Sequence, residues 1–377
     1  MIYFDNSATT LKKPQEVSEA VKYAVDNFGN SGRSFNESAM LAAREIYNTR
    51  VELAKLVKLD DPLKVAFTSS ATESLNMIIN GLINENDHVI TTVYDHNSIL
   101  RPLYNTGCEL SIVELNETGQ LDYEMMQQMI KSKTKAIVCT HASNVTGAIV
   151  DIKLVKQICK KNNVLFILDV SQSLGSIEVN ANMADILCFT GHKSLFGPQG
   201  TGGIIAKDDI ELKRIIKTGG AGSNSFAKMH SLMMPDAFEV GTLNAHSIYG
   251  LQQGVKFINS EGLEKIVKHK ENLIEYFINE LKKITGIKVY SETTNNCGVV
   301  AMNYKDVYSY DFAEKLYDEY QIATRAQSHC APLLHEFYQT KEQGMVRFSF
   351  SYFNTIAEIE KCLEGIKIII EKKEKEN

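Results

Sequence analysis

VLFILDVSQ at residues 164–172 and DILCFTGHKSLFGPQGTGGIIA at residues 185–206 decide the fold. The first opens on an unbroken apolar run and the second on ILCF, both too short for helices. Runs without alternation suit strands buried on both faces, as in a parallel sheet covered by helices. Each run stops abruptly in polar side chains: Asp169, Ser171 and Gln172 after the first, Thr190, His192 and Lys193 after the second. Runs at 64–67, 88–93, 136–140 and 203–206 read the same way, and helical segments such as 71–83 and 154–162 lie between them. That alternation predicts right-handed crossovers and a mostly parallel sheet. Ligands of such sheets bind beyond the carboxyl ends of the strands. Here those ends carry, in order, Thr68-Ser69-Ser70-Ala71-Thr72, Asp95-His96-Asn97, His141-Ala142-Ser143-Asn144, Asp169-Val170-Ser171-Gln172 and Thr190-Gly191-His192-Lys193.

Beyond residue 255 the pattern changes. A helix over 261–284 places Leu263, Ile266, Val267, Leu273, Phe277, Leu281 and Ile284 on one face, and Gly286 is its stop signal. Strands are expected at 287–290, 299–303 and 346–352, a helix over 310–320, and a last helix from Thr355 running into a Lys/Glu tail (371–377) that should fray. The organisation expected is a large domain over 15–255 and a small α+β domain made of 1–14 and 256–377.

The chain has 377 residues, and its 40 Lys and Arg against 46 Asp and Glu leave a net charge of −6, without the basic footprint of a nucleic-acid binder. No apolar run approaches the roughly 18 residues of a membrane span. MIYFDNSATTLKKP, the start of the sequence, lacks the charged and apolar regions of a secretory signal, so a cytoplasmic protein is expected. The seven cysteines are odd in number, widely spaced and free of any Cys-x-x-Cys pair, which predicts reduced thiols with no disulfide framework and no metal.

The rim residues share one chemistry. Residues 68–72 open a helix with hydroxyls and free N–H groups, which suits a phosphate; a helix cap completed by Glu73 reads equally well. Asp169 behind an apolar strand needs a cation or a metal. Lys193 lies among glycines that let the backbone approach a ligand. Pyridoxal phosphate asks for all of these together: a phosphate site, a carboxylate for its ring nitrogen, donors for its phenolic oxygen and a lysine for its aldehyde. A metal on Asp169, His141 and His192 lacks any HExxH spacing, and a P-loop ending in Gly191-His192-Lys193-Ser194 has histidine where its second glycine belongs.

FDNSATT (4–10), FTSSATESLN (67–76), DHNSILRPL (95–103), SNVTG (143–147), DVSQSLG (169–175), TGHKSLFGPQGTGG (190–203), FEVGTLN (238–244), TRAQSHCAP (324–332) and VRFSFSYFNT (346–355) resemble, in order, the motifs of cysteine desulfurases and selenocysteine lyases of the class V aminotransferase group. The resemblance implies an aspartate-aminotransferase-like α/β fold (pyridoxal-phosphate fold type I), with a mostly parallel seven-stranded sheet in the large domain and a smaller α+β C-terminal domain. It implies a homodimer that binds pyridoxal 5'-phosphate, acts on L-cysteine or L-selenocysteine, and passes sulfur to an acceptor protein.

Carried over by position, the resemblance makes Lys193 the lysine joined to the cofactor and Asp169 the partner of the ring N–H. Gln172 and Asn144 meet the phenolic oxygen, and His96 stacks on the ring and helps move protons. Ala71, Thr72, Thr190 and His192 bind the phosphate side, with Thr242 supplied by the partner subunit. Arg325 and Arg347 grip the substrate carboxylate, and Asn30 and Arg33 line the entrance. Cys330, between polar and turn-forming neighbours, carries the persulfide and separates a desulfurase from a transaminase or a carbon–sulfur lyase with a merely structural cysteine. His329 and Arg325, if they face it, favour its thiolate. The short Arg325–Cys330 spacing resembles the second type of desulfurase. Gln327 stands where such enzymes usually carry glycine, and Asn36 where they often carry histidine.

Overall fold

The computed structural model describes residues 1–32, 35–117, 119–210, 212–220 and 226–376. Seven strands form the large sheet in the order Val65–Thr68, Gly202–Ala206, Ile186–Thr190, Leu165–Asp169, Thr134–Thr140, His88–Thr92, Glu109–Val113. All run parallel except Gly202–Ala206, which is antiparallel to both neighbours. The link from Thr190 to Gly202 forms no helix, and without a helical crossover the chain turns back on itself. This reversal puts Gly202 at the same rim as the carboxyl ends of the parallel strands. A Cβ on Gly202 would lie 2.6 Å from Ser70 Cα, so only glycine lets this strand meet the turn that starts the helix Ala71–Leu82.

The apolar runs are buried as expected. Val138, Cys139, Ile167, Leu168, Leu187 and Phe189 are each at most 1% exposed, packed between helices on the two faces of the sheet. Two helices, Gln15–Asn27 and Glu37–Leu56, both pack against a third, Ala245–Glu261. After Gly262 the helix Leu263–Leu281, with Ser309–Tyr320 and Ile356–Glu376, covers a three-stranded antiparallel sheet of Ile287–Val289, Val299–Tyr304 and Val346–Ser349. Phe4, Phe277, Phe348 and Phe350 meet edge-on or tilted in that second core.

The N-terminal segment stitches the two parts together. Ile2–Tyr3 pairs in parallel with Ile322–Ala323, and Ser349 N–H donates to Phe4 O at 2.7 Å. A few residues on, Thr10 N–H donates to His192 O and its hydroxyl to Lys193 O. One short stretch therefore ties the small sheet to the loop that bears Lys193.

Some expectations are corrected. The strand Glu109–Val113 was not foreseen, because as a half-exposed edge it shows no continuous apolar run. Asp169 is the last residue of its strand rather than the first beyond it. The helix expected over 261–284 begins at Leu263, after Gly262 turns the chain at φ +86°. The strand expected over 346–352 ends at Ser349. The helix from Ile356 continues through the tail to Glu376, with Lys305 bound to Glu374 at 3.0 Å.

Candidate active site

The strand ends converge on one cavity of about 210 Å³. Ala71, Thr72, His96, Asn144, Asp169, Gln172, Thr190, His192, Lys193, Arg325 and Arg347 all line it. The order of the large sheet brings together the lining residues from Ala71 to Lys193, while Arg347 comes from the three-stranded sheet and Arg325 from just beyond the two-stranded one.

Asp169 closes its strand with a carboxylate that is 5% exposed. Its Oδ1 accepts from both the N–H (2.9 Å) and the hydroxyl of Ser171, while no donor among the described residues reaches its other oxygen. Burial pushes this carboxyl up, against the pull of the Ser171 bonds and of Lys193. Lys193 feels the complementary effect. Burial pulls its ammonium down to about 8, Asp169 acts in the opposite sense, and Arg347 and Arg325 press it further down. A substantial neutral fraction near neutrality makes the amine a nucleophile.

The helix Ala71–Leu82 starts at the cavity, with Ala71 and Thr72 on its lining. Ser70 Oγ accepts from Glu73 N–H at 3.2 Å and Glu73 Oε2 accepts from Ser69 N–H at 2.6 Å, so the cap reading of this segment holds. No acceptor among the described residues takes the N–H of Ala71 or Thr72, which remain for a ligand. Thr72 Oγ1 meets Ser98 Oγ at 2.8 Å, and Ser98 Oγ meets His96 Nδ1 at 2.9 Å. Ser98 N–H also donates to His96 Nδ1, which makes that nitrogen an acceptor and places the ring proton on Nε2. Burial, then Lys193, Arg325, Arg347 and Arg101, bring His96 down to about 4, so the imidazole is neutral at pH 7. His192 is brought down to about 4 in the same way, by burial and then by Lys193 and Lys13.

Arg347 is 2% exposed and held on two sides. It donates to Asp5 Oδ1 at 2.6 Å and to Asn144 O at 2.9 Å. Asn144 in turn donates to His329 O at 2.7 Å. Arg325 is exposed at the cavity mouth, where its backbone bridges to Arg347.

Cys330 is the exposed one of the seven cysteines, all of them free and all among the described residues. Its carbonyl accepts from Asn97 N–H at 2.8 Å, which pins the Cys330 turn to the residue after His96. His329 does not flank the thiol as a cation. It is 4% exposed, stacked on His335 at 5.8 Å, and burial holds it well below the usual histidine range.

Three expected residues do not line this cavity: Asn30, Thr242 and Cys330. Asn30 and Thr242 face a second cavity of about 480 Å³, beside the buried Arg50–Glu239 pair. Arg33 lies outside the described residues. Asn36 caps the helix Glu37–Leu56, accepting from Ala39 N–H at 2.9 Å. Sequence reasoning missed Ser7, Ala8, Ser98, Thr140 and His329 as cavity residues, and Asp5 as the partner of Arg347. Small hydroxyls beside singled-out residues were the available signal for Ser98 and Thr140.

The donor set fits pyridoxal phosphate. Asn144 Oδ1, Thr190 Oγ1, His192 Nδ1 and Arg347 Nε are buried polar atoms without a partner, all on residues lining the cavity. Buried polar atoms left unpaired are costly, and they concentrate where a ligand completes them. Asp169, Lys193 and the open helix N-terminus match the cofactor's ring nitrogen, aldehyde and phosphate.

Comparison with known proteins agrees. A probable cysteine desulfurase of Pyrococcus abyssi is 30% identical over 385 residues, covering 98% of this chain and 94% of its own. One of Methanothermobacter thermautotrophicus is 28% identical over 378 residues, with 98% and 94% coverage. The apo structure of a cysteine desulfurase from Thermococcus onnurineus superposes with a TM-score of 0.91 at 28% identity, over 98% of this chain and 95% of that one. Residues 2–362 match the aminotransferase class-V family, so this chain belongs to the class-V aminotransferases.

Proposed function

We propose that this protein is a cysteine desulfurase that converts L-cysteine to L-alanine and carries the released sulfur as a persulfide on Cys330. The observation that supports this over a transaminase is the anchoring of an exposed cysteine to the His96 turn through the Asn97–Cys330 bond. When bound, pyridoxal phosphate supplies the electron sink at the substrate Cα.

The chain's residues do the rest. Arg347, already oriented by Asp5 and Asn144, and Arg325 at the mouth receive the substrate carboxylate. Lys193 would hold the cofactor's aldehyde, and its amine removes the Cα proton. Asp169 keeps its free oxygen for the ring N–H, and His96 offers its Nε2–H to the reacting face. The Cys330 thiolate then attacks the substrate sulfur. An S–S bond forms as the Cβ–S bond breaks, and the electron pair leaves with the three-carbon fragment, which takes up one proton at Cβ and regains at Cα the one that Lys193 removed, giving alanine. In-line attack requires an approach of about 3–3.5 Å.

L-Selenocysteine is the second substrate we assign to the same cavity, and an acceptor protein takes the sulfur from Cys330. The molecule is a homodimer in this reading, with Thr242 reaching the partner's phosphate site. The placement of Thr242 and Asn30 outside their own subunit's cavity supports that, as do the exposed Phe35, Phe226 and Met229. The division into 15–255 and 1–14 with 256–377 is supported by the pairing of Ile2–Tyr3 with Ile322–Ala323. No helix among the described residues is long and apolar enough to cross a membrane, and we place the protein in the cytoplasm.

The test is Cys330→Ser. It should retain the cofactor's visible absorbance and lose persulfide formation from L-cysteine, read by mass spectrometry of the intact chain. Persulfide formed elsewhere on the variant, or a keto acid with no persulfide from the unmodified enzyme, would overturn the assignment.

A further inference from the structure

Asp95, the residue before His96, is fully buried at 0% exposure and has no part in the chemistry described above. Its carboxylate is held by four hydrogen bonds. Oδ2 accepts from Thr91 Oγ1 (2.6 Å), Thr92 N–H (2.6 Å) and Thr92 Oγ1 (2.9 Å), and Oδ1 accepts from Thr140 N–H at 2.6 Å. Asp95 N–H also returns to Thr92 O at 3.1 Å, closing the turn at the end of the strand His88–Thr92.

Every donor is neutral, so the carboxylate is not half of an ion pair. It joins the ends of two neighbouring strands, His88–Thr92 and Thr134–Thr140, at the rim where Thr140 and His96 both line the cavity. We propose that Asp95 is a positioning residue for the desulfurase reaction: its carboxylate fixes the turn that presents His96 to the cavity and locks that turn to Thr140. The inference rests on the role given to His96 above.

A carboxylate suits this post in a way its amide isostere does not. Two of the four donors are backbone N–H groups, one on each oxygen, and neither can reverse to become an acceptor. An asparagine offers one oxygen and one NH2, so whichever way it turns, one buried N–H faces another donor. The turn must then shift, carrying His96 with it.

The test uses the holoenzyme and four variants: D95N, H96A, the double D95N/H96A, and the milder T91V, which removes one hydroxyl donor and leaves the carboxylate. In D95N, kcat for alanine formation should fall by about ten- to a hundredfold, the scale set by misplacement of a reacting group by an ångström, with KM little moved. The bound cofactor's visible circular dichroism, which reports how the ring is seated, should shift towards that of H96A. Introducing D95N into H96A should cost nothing further, because the group being positioned is already gone. T91V should show a smaller loss that is likewise absent in the H96A background, and it carries the test if D95N does not fold.

Equal losses from D95N, or from T91V if D95N does not fold, in the wild-type and H96A backgrounds would show a merely structural role and sink this inference alone. A folded D95N that matches wild type in kcat and dichroism would sink it too. H96A as active as wild type would sink the His96 assignment together with this inference.

Discussion

The chemistry of this site starts from one amine in a dry, positively biased place. Lys193 shares its cavity with Arg325 and Arg347 and with one anion, Asp169, and burial outweighs that anion, leaving the amine at about 8. An ordinary lysine titrates near 10.4 and is almost wholly protonated at pH 7. Only the neutral amine attacks an aldehyde, so cofactor attachment to the cofactor-free chain should quicken about tenfold per pH unit below 8 and level off above it. Stopped-flow absorbance after adding pyridoxal phosphate, followed from pH 6 to pH 9.5, checks this. A rate still climbing tenfold per unit past pH 9 would mean that the amine keeps a solvent-like affinity for its proton. His96 adds no charge of its own over this range, since burial and the same cations keep it neutral.

The turn from Arg325 to Pro332 shows how a segment can be read for its role and misread for its surroundings. TRAQSHCAP was legible as the presenter of Cys330 because polar and turn-forming residues flank the cysteine there. Its backbone gives the reason such turns favour glycine: Gln327 (φ +74°), His329 (φ +50°) and Cys330 (φ +56°) are all left-handed. The left-handed region costs a side chain with a Cβ about 1–2 kcal/mol, part of which glycine returns through its greater freedom when unfolded. Gln327→Gly should therefore stabilise the folded chain by up to about 1 kcal/mol, read as a higher denaturant midpoint with an unchanged slope. A lower midpoint would show that the Gln327 side chain contributes more than its backbone costs. The surroundings of the turn were less legible. That His329 would turn inward onto His335, or that Asp5 would pair with Arg347 across 342 positions, depends on how the small sheet packs. Local pattern carries no signal for such contacts. The buried strands were readable for the opposite reason: continuous apolar runs ending in polar residues need no partner to be recognised, whereas the half-exposed edge strand Glu109–Val113 has no such run.

The complete catalytic unit is larger than one chain if Thr242 works across an interface, and subunit mixing can decide this. In a homodimer of K193A both sites lack the attachment lysine, and in a homodimer of T242A both lack the phosphate hydroxyl. Let the two variants exchange subunits. If each site takes Thr242 from its neighbour, the mixed dimer has one site with neither defect: Lys193 from the T242A chain and Thr242 from the K193A chain. Its other site carries both defects. Mixing should then create tight cofactor sites that neither variant has alone, in about half of the dimers at equal input when exchange is random. If Thr242 serves its own chain, every site in the mixture keeps one defect, and mixing changes nothing. Titration with pyridoxal phosphate before and after exchange separates the two. The geometry favours the first outcome, because Thr242 and Asn30 open onto a separate cavity while Lys193, Asp169 and the Ala71–Leu82 helix N-terminus close around their own. Arg50 and Glu239, paired at 2.6 Å and bound to Val65 O and Phe67 N–H, hold the Thr242 segment against the strand that leads into that helix. A segment fixed so firmly to its own sheet, yet lining a second cavity, is suited to serve a neighbour's.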